Sequence, residues 1–206
     1  MKKQEEDLFR KLFPSNTIKS DTDPTSQNQP LIRDEAYKKD FEIWKHSLRA
    51  KAMREQLMEA YLARSAQAST TQIALYTAPG AIGLTIKMAE NTDVKYYRFL
   101  LDLLREQLMT LQYSLYSSSA EAKTGAEGVQ YFYERHYLKP NISNEKFPID
   151  QLYGSIMLEL ELEADQPKYL KVMSTYHTGY NYKPPQGFDA LVRYLFSGKE
   201  SDERNE

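Results

Sequence analysis

Val94, Tyr97, Leu101, Leu104, Leu108, Leu111 and Leu115 recur at alternating steps of three and four residues. That spacing lays the apolar side chains along one stripe of an α-helix, sustained for three heptads. Phe99, Leu100, Leu103 and Met109 widen the stripe well beyond a two-stranded seam. A helix of this kind must be buried on two sides, as in a bundle or at a subunit interface. Thr92 and Asp93 mark its start.

A second long helix is expected from Asp34, as N-cap, to about Ala66. Tyr37, Phe41, Trp44, Leu48 and Ala52 step along one face, and Leu57, Met58, Tyr61 and Leu62 continue it. At 1.5 Å per residue it would run about 48 Å, long for a domain of this size. A shorter helix is expected after Ser118, which forms a capping box with Glu121 and opens a segment toward Leu138. Gly125 and Gly128 weaken it and Pro140 ends it.

Two stretches change to a period of two. Ile82, Leu84, Ile86 and Met88 alternate with Gly83, Thr85 and Lys87, and Ile73 and Leu75 alternate before Pro79-Gly80, which suits a type II turn. This predicts a hairpin over 72–88. Further on, Ile156, Leu158, Leu160 and Leu162 alternate with Met157, Glu159, Glu161 and Glu163. The segment Lys168–His177 returns as a second strand, with Lys168 and Lys171 placed to face those glutamates. Phe188, Leu191, Val192 and Leu195 form the apolar side of a last short helix stopped by Gly198. The expected fold class is α+β and predominantly α-helical: two long helices and a shorter one packed as a bundle, with one or two β-hairpins. Residues 1–33 read as an apolar helix followed by an extended arm, 34–198 as one α+β domain and 199–206 as a charged tail.

Hydrophobic residues make up 41% of the 206, enough for a sizeable core in one domain. The net charge of −2 gives no general attraction to nucleic acid or anionic membrane. With no cysteine, disulfides, thiol catalysis and cysteine-zinc sites are excluded. The start, MKKQEEDLFRK, lacks the apolar run of a signal peptide, and no stretch has the length and apolarity of a membrane span. The expected location is the cytoplasm, or a virion if the chain is phage-encoded.

No catalytic pattern stands out. His46, His136 and His177 are preceded three residues earlier by Ile43, Tyr133 and Ser174, so the Glu-x-x-His pairs of di-iron bundles are absent. Glu42 and His46 share one helix face, which is the ordinary place for exposed polar residues. The glycines of GAIGLT are not followed by the Lys-Ser/Thr of a phosphate loop. Neither a metal nor a cofactor is expected, and the chain is read as no enzyme.

Binding features remain. Leu8, Phe9, Leu12 and Phe13 cluster at helical spacing ahead of the polar segment 14–30, as a docking helix on a tether would. Of the 16 tyrosines, eight fall between 131 and 182, and tyrosine suits surfaces that are apolar on one side and wet on the other. Tyr180 and Tyr182, within TYHTGYNYKPP, are candidate protein-contact residues. Tyr131, Tyr133, Arg135, His136, Tyr176, His177 and Lys183 combine rings with cations, as stacking platforms for single-stranded nucleic acid do. The preferred expectation is a structural or adaptor subunit of a larger homo- or hetero-oligomeric assembly, for example a ring or connector component of a phage particle or secretion machine. The alternative is a nucleic-acid-binding accessory protein.

Overall fold

A computed structural model of the chain describes residues 27–64, 73–78, 80–88, 93–125, 128–141, 154–175 and 184–197. In chain order the elements are β1 (Gln27–Pro30), α1 (Glu35–Lys45), α2 (Leu48–Leu62), β2 (Ile73–Ala78), β3 (Ala81–Lys87), α3 (Val94–Thr110), β4 (Tyr113–Thr124), β5 (Gln130–Pro140), β6 (Ile156–Glu163), β7 (Gln166–Thr175) and α4 (Pro184–Ser197). The strands form one seven-stranded antiparallel sheet in the order β1-β4-β5-β6-β7-β3-β2. The described helices pack with one face of this sheet in a common core.

The alternation read in β6 holds. Ile156, Leu158, Leu160 and Leu162 point into the core with Leu170 and Val172 of β7 and Leu84 and Ile86 of β3. β6 is the middle strand of the sheet, and all its residues but Glu163 are buried. The β6–β7 connection is a tight two-residue turn. Ala164 and Asp165 have φ of 48° and 61°, and Glu163 pairs directly with Gln166. Two consecutive left-handed residues match the right-handed twist of the flanking strands. The β2–β3 hairpin also forms as read, with Gly80 at φ 79°. Gly83 has a separate reason to be glycine: a Cβ there would lie 2.3 Å from the Tyr76 hydroxyl, because the Tyr76 ring crosses over it.

The helical bundle is not formed. Strands and helices take nearly equal shares of the described residues, and α3 lies on the sheet rather than among helices alone. Its leucine stripe is buried as the pattern requires, with Leu101, Leu104 and Leu108 fully enclosed. The width of the apolar surface is used by the sheet on one side and by α1 and α4 on the others, except at Met109, which is 47% exposed. Phe99 meets Tyr37, Phe41 and Trp44 of α1 with centroids 4.9, 5.8 and 5.4 Å away.

Two boundaries differ from the expected helices. The 34–66 helix is two helices. Asp34 caps the first, its carboxylate accepting from the Tyr37 amide at 2.7 Å. Ser47, in extended conformation, caps the second by accepting from the Ala50 amide at 3.2 Å. The break redirects α2 so that Tyr61 packs edge-on against Phe196 of α4 and donates to Asp189 at 2.9 Å.

The expected helix from Ser118 to Leu138 is the β4–β5 hairpin instead, and α3 stops before Leu115. Gln112 adopts a left-handed φ of 63°, and the chain enters β4 at once. Segment 113–119 has two tyrosines and four serines, and 130–138 is rich in aromatics. Serine competes with the helix backbone, and tyrosine and phenylalanine favour strands. That preference outweighs a three-residue capping pattern, and Glu121 turns to Arg135 across the hairpin. Tyr116 is the extra residue of a bulge between Leu115 and Ser117.

Candidate protein-contact face

Strand alternation divides the aromatic-basic stretch of β5 between two environments. Tyr131, Tyr133, Arg135 and Tyr137 stand on the face of the sheet away from the helices. Phe132, Glu134, His136 and Leu138 stand on the helix side. His136 is therefore separated from Arg135 by the thickness of the sheet, and its ring is 1% exposed.

The outer face carries a ladder of ion pairs across four strands. Lys123 meets Glu121 at 3.1 Å, and Glu121 meets Arg135 at 2.5 Å. Arg135 also pairs with Glu159, which takes Lys171 at 2.8 Å, and Lys171 reaches Glu161 at 2.7 Å. At one end Lys168 pairs with Glu163. The registers Arg135↔Glu159↔Lys171 and Tyr133↔Glu161↔Tyr169 bring these residues side by side. Burial alone would lower the Arg135 and Lys171 pKa values, but the adjacent carboxylates outweigh it and both are raised. Burial alone would raise Glu159, but Arg135 and Lys171 hold it below the usual carboxylate range. Arg135, Lys171 and Glu159 thus keep their charges, each against an opposite one.

Tyrosines flank the ladder. The Arg135 guanidinium lies 4.9 Å from the Tyr133 ring centre, and Lys168 lies over both Tyr131 and Tyr169 at 5.4 and 5.9 Å. Tyr131, Tyr133, Tyr137 and Tyr169 are all half-buried. Burial raises the phenol pKa of Tyr133 and Tyr137, so these groups remain protonated hydrogen-bond donors. Tyr76 reaches over Gly83 onto the same face; burial pushes its phenol up to about 12, and its hydroxyl has no hydrogen-bond partner among the described residues.

The helix side of β5 meets a second network. Asp102, in the middle of the α3 leucine stripe, accepts from the Tyr37 hydroxyl at 2.6 Å and the Arg33 Nε at 3.1 Å through one oxygen. Its other oxygen is 2.7 Å from His136 Nε2 and 3.3 Å from Arg105. Arg33 continues to Glu134 at 2.7 Å, and Arg98 reaches the other Glu134 oxygen at 2.6 Å. Burial alone would raise Asp102, yet the bond from His136 together with Arg33 and Tyr37 holds it at about 2. Burial lowers the His136 pKa, so the ring is neutral at neutral pH. An ionised Asp102 only accepts, so His136 Nε2 carries the proton, and Nδ1 accepts from the Ser118 hydroxyl at 2.7 Å.

Serine, histidine and aspartate in this order also make up nucleophilic relays. Here Ser118 lies within a paired strand, opposite His136, and the Leu31 amide donates to its carbonyl at 3.3 Å. No strained turn lifts its hydroxyl toward a substrate, as a nucleophile elbow would. The network's visible work is mechanical: it ties the segment after β1 to α3 and the sheet.

The remaining candidates are distributed as follows. Leu8, Phe9, Leu12, Phe13, Tyr176, His177, Tyr180, Tyr182 and Lys183 lie outside the described residues. Glu42 pairs with Lys45 at 2.8 Å, and His46 caps the end of α1. Among the described residues no group of three His, Asp or Glu side chains is placed to hold a metal ion. No described helix is long and apolar enough to cross a membrane. Asp102, Arg33 and Tyr37 were not singled out as polar-network residues by sequence reasoning; an aspartate flanked by Phe99, Leu100, Leu101, Leu103 and Leu104 is the signal that could have found the hub. No protein-family model, curated protein or solved structure matches this chain.

Proposed function

We propose that this chain is a non-enzymatic structural or adaptor subunit that works through protein–protein contacts in a homo- or hetero-oligomeric assembly. The supporting observation is the outer face of the sheet, where half-buried tyrosines surround a ladder whose charges are matched. Its four carboxylates, Glu121, Glu159, Glu161 and Glu163, stand against four cations, Lys123, Arg135, Lys168 and Lys171. Interface cores favour tyrosine and exclude unmatched charge, and this face has that composition. A ring or connector component of a phage particle or secretion machine is one concrete form, acting in the cytoplasm or in a virion.

The nucleic-acid reading needs cations free to meet phosphates. Arg135, its central cation, is only 13% exposed and bound by two carboxylates. The decisive experiment replaces Tyr133 with a photo-crosslinking aromatic residue and, separately, exposed Lys38 of α1, then irradiates cells making each protein. A discrete protein adduct is expected at position 133 and not at 38. In parallel, fluorescence anisotropy with a single-stranded oligonucleotide at physiological salt is expected to show no appreciable binding. Submicromolar binding that weakens steeply with salt would overturn the proposal in favour of nucleic acid, as would crosslinks at 133 to nucleic acid alone.

A further inference from the structure

The sheet has two edges, and they are built differently. At one end β1 is four residues long, finishes at Pro30 and covers β4 only from Ser119 to Ala122. The uncovered part of β4 carries the Tyr116 bulge, and the Lys139 ammonium lies 3.5 Å from the Tyr116 ring centre. Proline, a short strand, a bulge and a lysine are the usual devices that stop an edge from recruiting another strand. At the other end β2 has none of them. It is an unbroken six-residue strand, IALYTA, within a stretch from Ser65 to Ile86 that holds no charged residue. Among the described residues no strand pairs with its outer side. Leu75 there is 42% exposed although its cross-strand partner, Leu84, is fully buried.

We propose that the outer edge of β2 is a homodimer contact, pairing antiparallel with β2 of a second copy of this chain. The guarded edge at β1 and β4 decides the symmetry. Head-to-tail joining of sheets would need β2 of one copy to meet that edge of the next, where the ladder is capped and bulged. An isologous contact needs β2 alone, and it closes at two copies. The register follows from side-chain direction. Residues opposite one another in neighbouring antiparallel strands point to the same side, so a continuous sheet pairs positions of like parity. A two-fold axis at Leu75 sets Ile73 against Thr77 of the second copy, Ala74 against Tyr76, and Leu75 against Leu75. The helices of both copies then lie on the same side of the joined sheet, and each exposed Leu75 is covered by the other. The absence of charge on the strand removes the repulsion that self-pairing would otherwise meet. This contact lies at the sheet edge, apart from the ion-pair ladder, and meets the tyrosine face only at Tyr76.

The test is the mass of the full chain by sedimentation over about two decades of concentration, for the wild type and for Leu75→Lys and Leu75→Glu. The wild type is expected to reach twice its 24.0 kDa as concentration rises. Each variant sets like charges against each other at the axis, and dimerisation is expected to weaken by at least about tenfold. Mixed in equal amounts, the two variants are expected to recover the dimer, because lysine then faces glutamate. Circular dichroism checks that both remain folded, as the exposed position allows. A wild type that stays monomeric throughout overturns the proposal, as does a dimer unmoved by either variant or a mixture that does not recover. Because none of these readouts involves Tyr133, failure here leaves the tyrosine face untouched, and the reverse also holds.

Discussion

The two faces of β5 carry the same chemistry in opposite settings. On the helix side, Glu134 and His136 join Arg33, Arg98 and Asp102 beneath α3; on the outer side, Arg135 joins Glu121 and Glu159 on the other face of the sheet. The difference lies in redundancy. Asp102 is the acceptor shared by Tyr37, His136 and Arg33, and of these only Arg33 has a second carboxylate, Glu134, so three elements meet at one group. In the outer ladder Arg135 and Lys171 each have a second carboxylate when Glu159 is removed. A buried network with one hub locks a fold, whereas a ladder with overlapping pairs tolerates rearrangement and so can serve a surface that meets partners.

The largest effect that would break this comparison is at the hub. Asp102→Ala is expected to cost about 3–5 kcal/mol in urea unfolding, because it leaves the His136 N–H and the Tyr37 hydroxyl without their acceptor in the interior and Arg33 with Glu134 alone. Glu159→Ala, on the outer face, is expected to cost about 1–2 kcal/mol, since the neighbouring cations keep other partners. Equal losses, or the reverse order, would mean that the outer ladder is as much a part of the fold's foundation as the inner network.

Acid separates the faces next. Below pH 6.5 a histidine in the unfolded chain takes up a proton that His136, with its lowered pKa, does not. The unfolded state then binds more protons, so stability falls as pH falls, by at most about 1.4 kcal/mol per pH unit from this one group. Asp102 adds a further loss between its ordinary 3.8 and about 2. Urea titrations from pH 7 to 5 are expected to show this slope in the wild type and in Glu159→Gln, and a flatter one in His136→Gln. A slope unchanged in His136→Gln would remove the histidine from the inner network's energetics.

The smallest expected effect sharpens the reading of the outer face. The Tyr76 hydroxyl is buried without a partner among the described residues. Tyr76→Phe is therefore expected to be neutral or to stabilise by up to about 1 kcal/mol in thermal unfolding, because an unsatisfied group is removed while the ring over Gly83 stays. A clear loss would show that the hydroxyl works within the ladder beside Glu159 and Lys171.

How much of this was legible depended on whether the pattern was local. β6 and its pairing with β7 were readable because strict alternation fixes a face, and Lys171 opposite two glutamates names its own partners. The α3 stripe was equally plain, but periodicity says only that a face is buried, not whether helix or sheet covers it. The β4–β5 hairpin was misread because Ser118 and Glu121 imitate a helix start at three-residue spacing, while the competing evidence was the spacing of two in Tyr131, Tyr133, Arg135 and Tyr137. With that hairpin lost, half of the ladder was lost too, since Arg135 finds Glu121 and Glu159 only as a strand residue. Asp102 and Arg33 are 69 positions apart, and no short-range pattern joins them.

The pairing of β3 with β7 sets the order in which this chain can complete itself. Ala81 lies against Thr175, so the β2–β3 hairpin gains its inner neighbour only after α3 and the strands β4 to β6 have also left the ribosome. Until then the leucines of α3 have β3 and β4 near them in sequence but not the central strand they rest on, and the sheet exists as two halves with raw inner edges. Such high contact order makes folding slow and leaves the nascent chain dependent on protection from its neighbours. A ribosome stalled before Gln166 would present apolar helix and unpaired strand together, the state in which a chain of this topology is most exposed to aggregation.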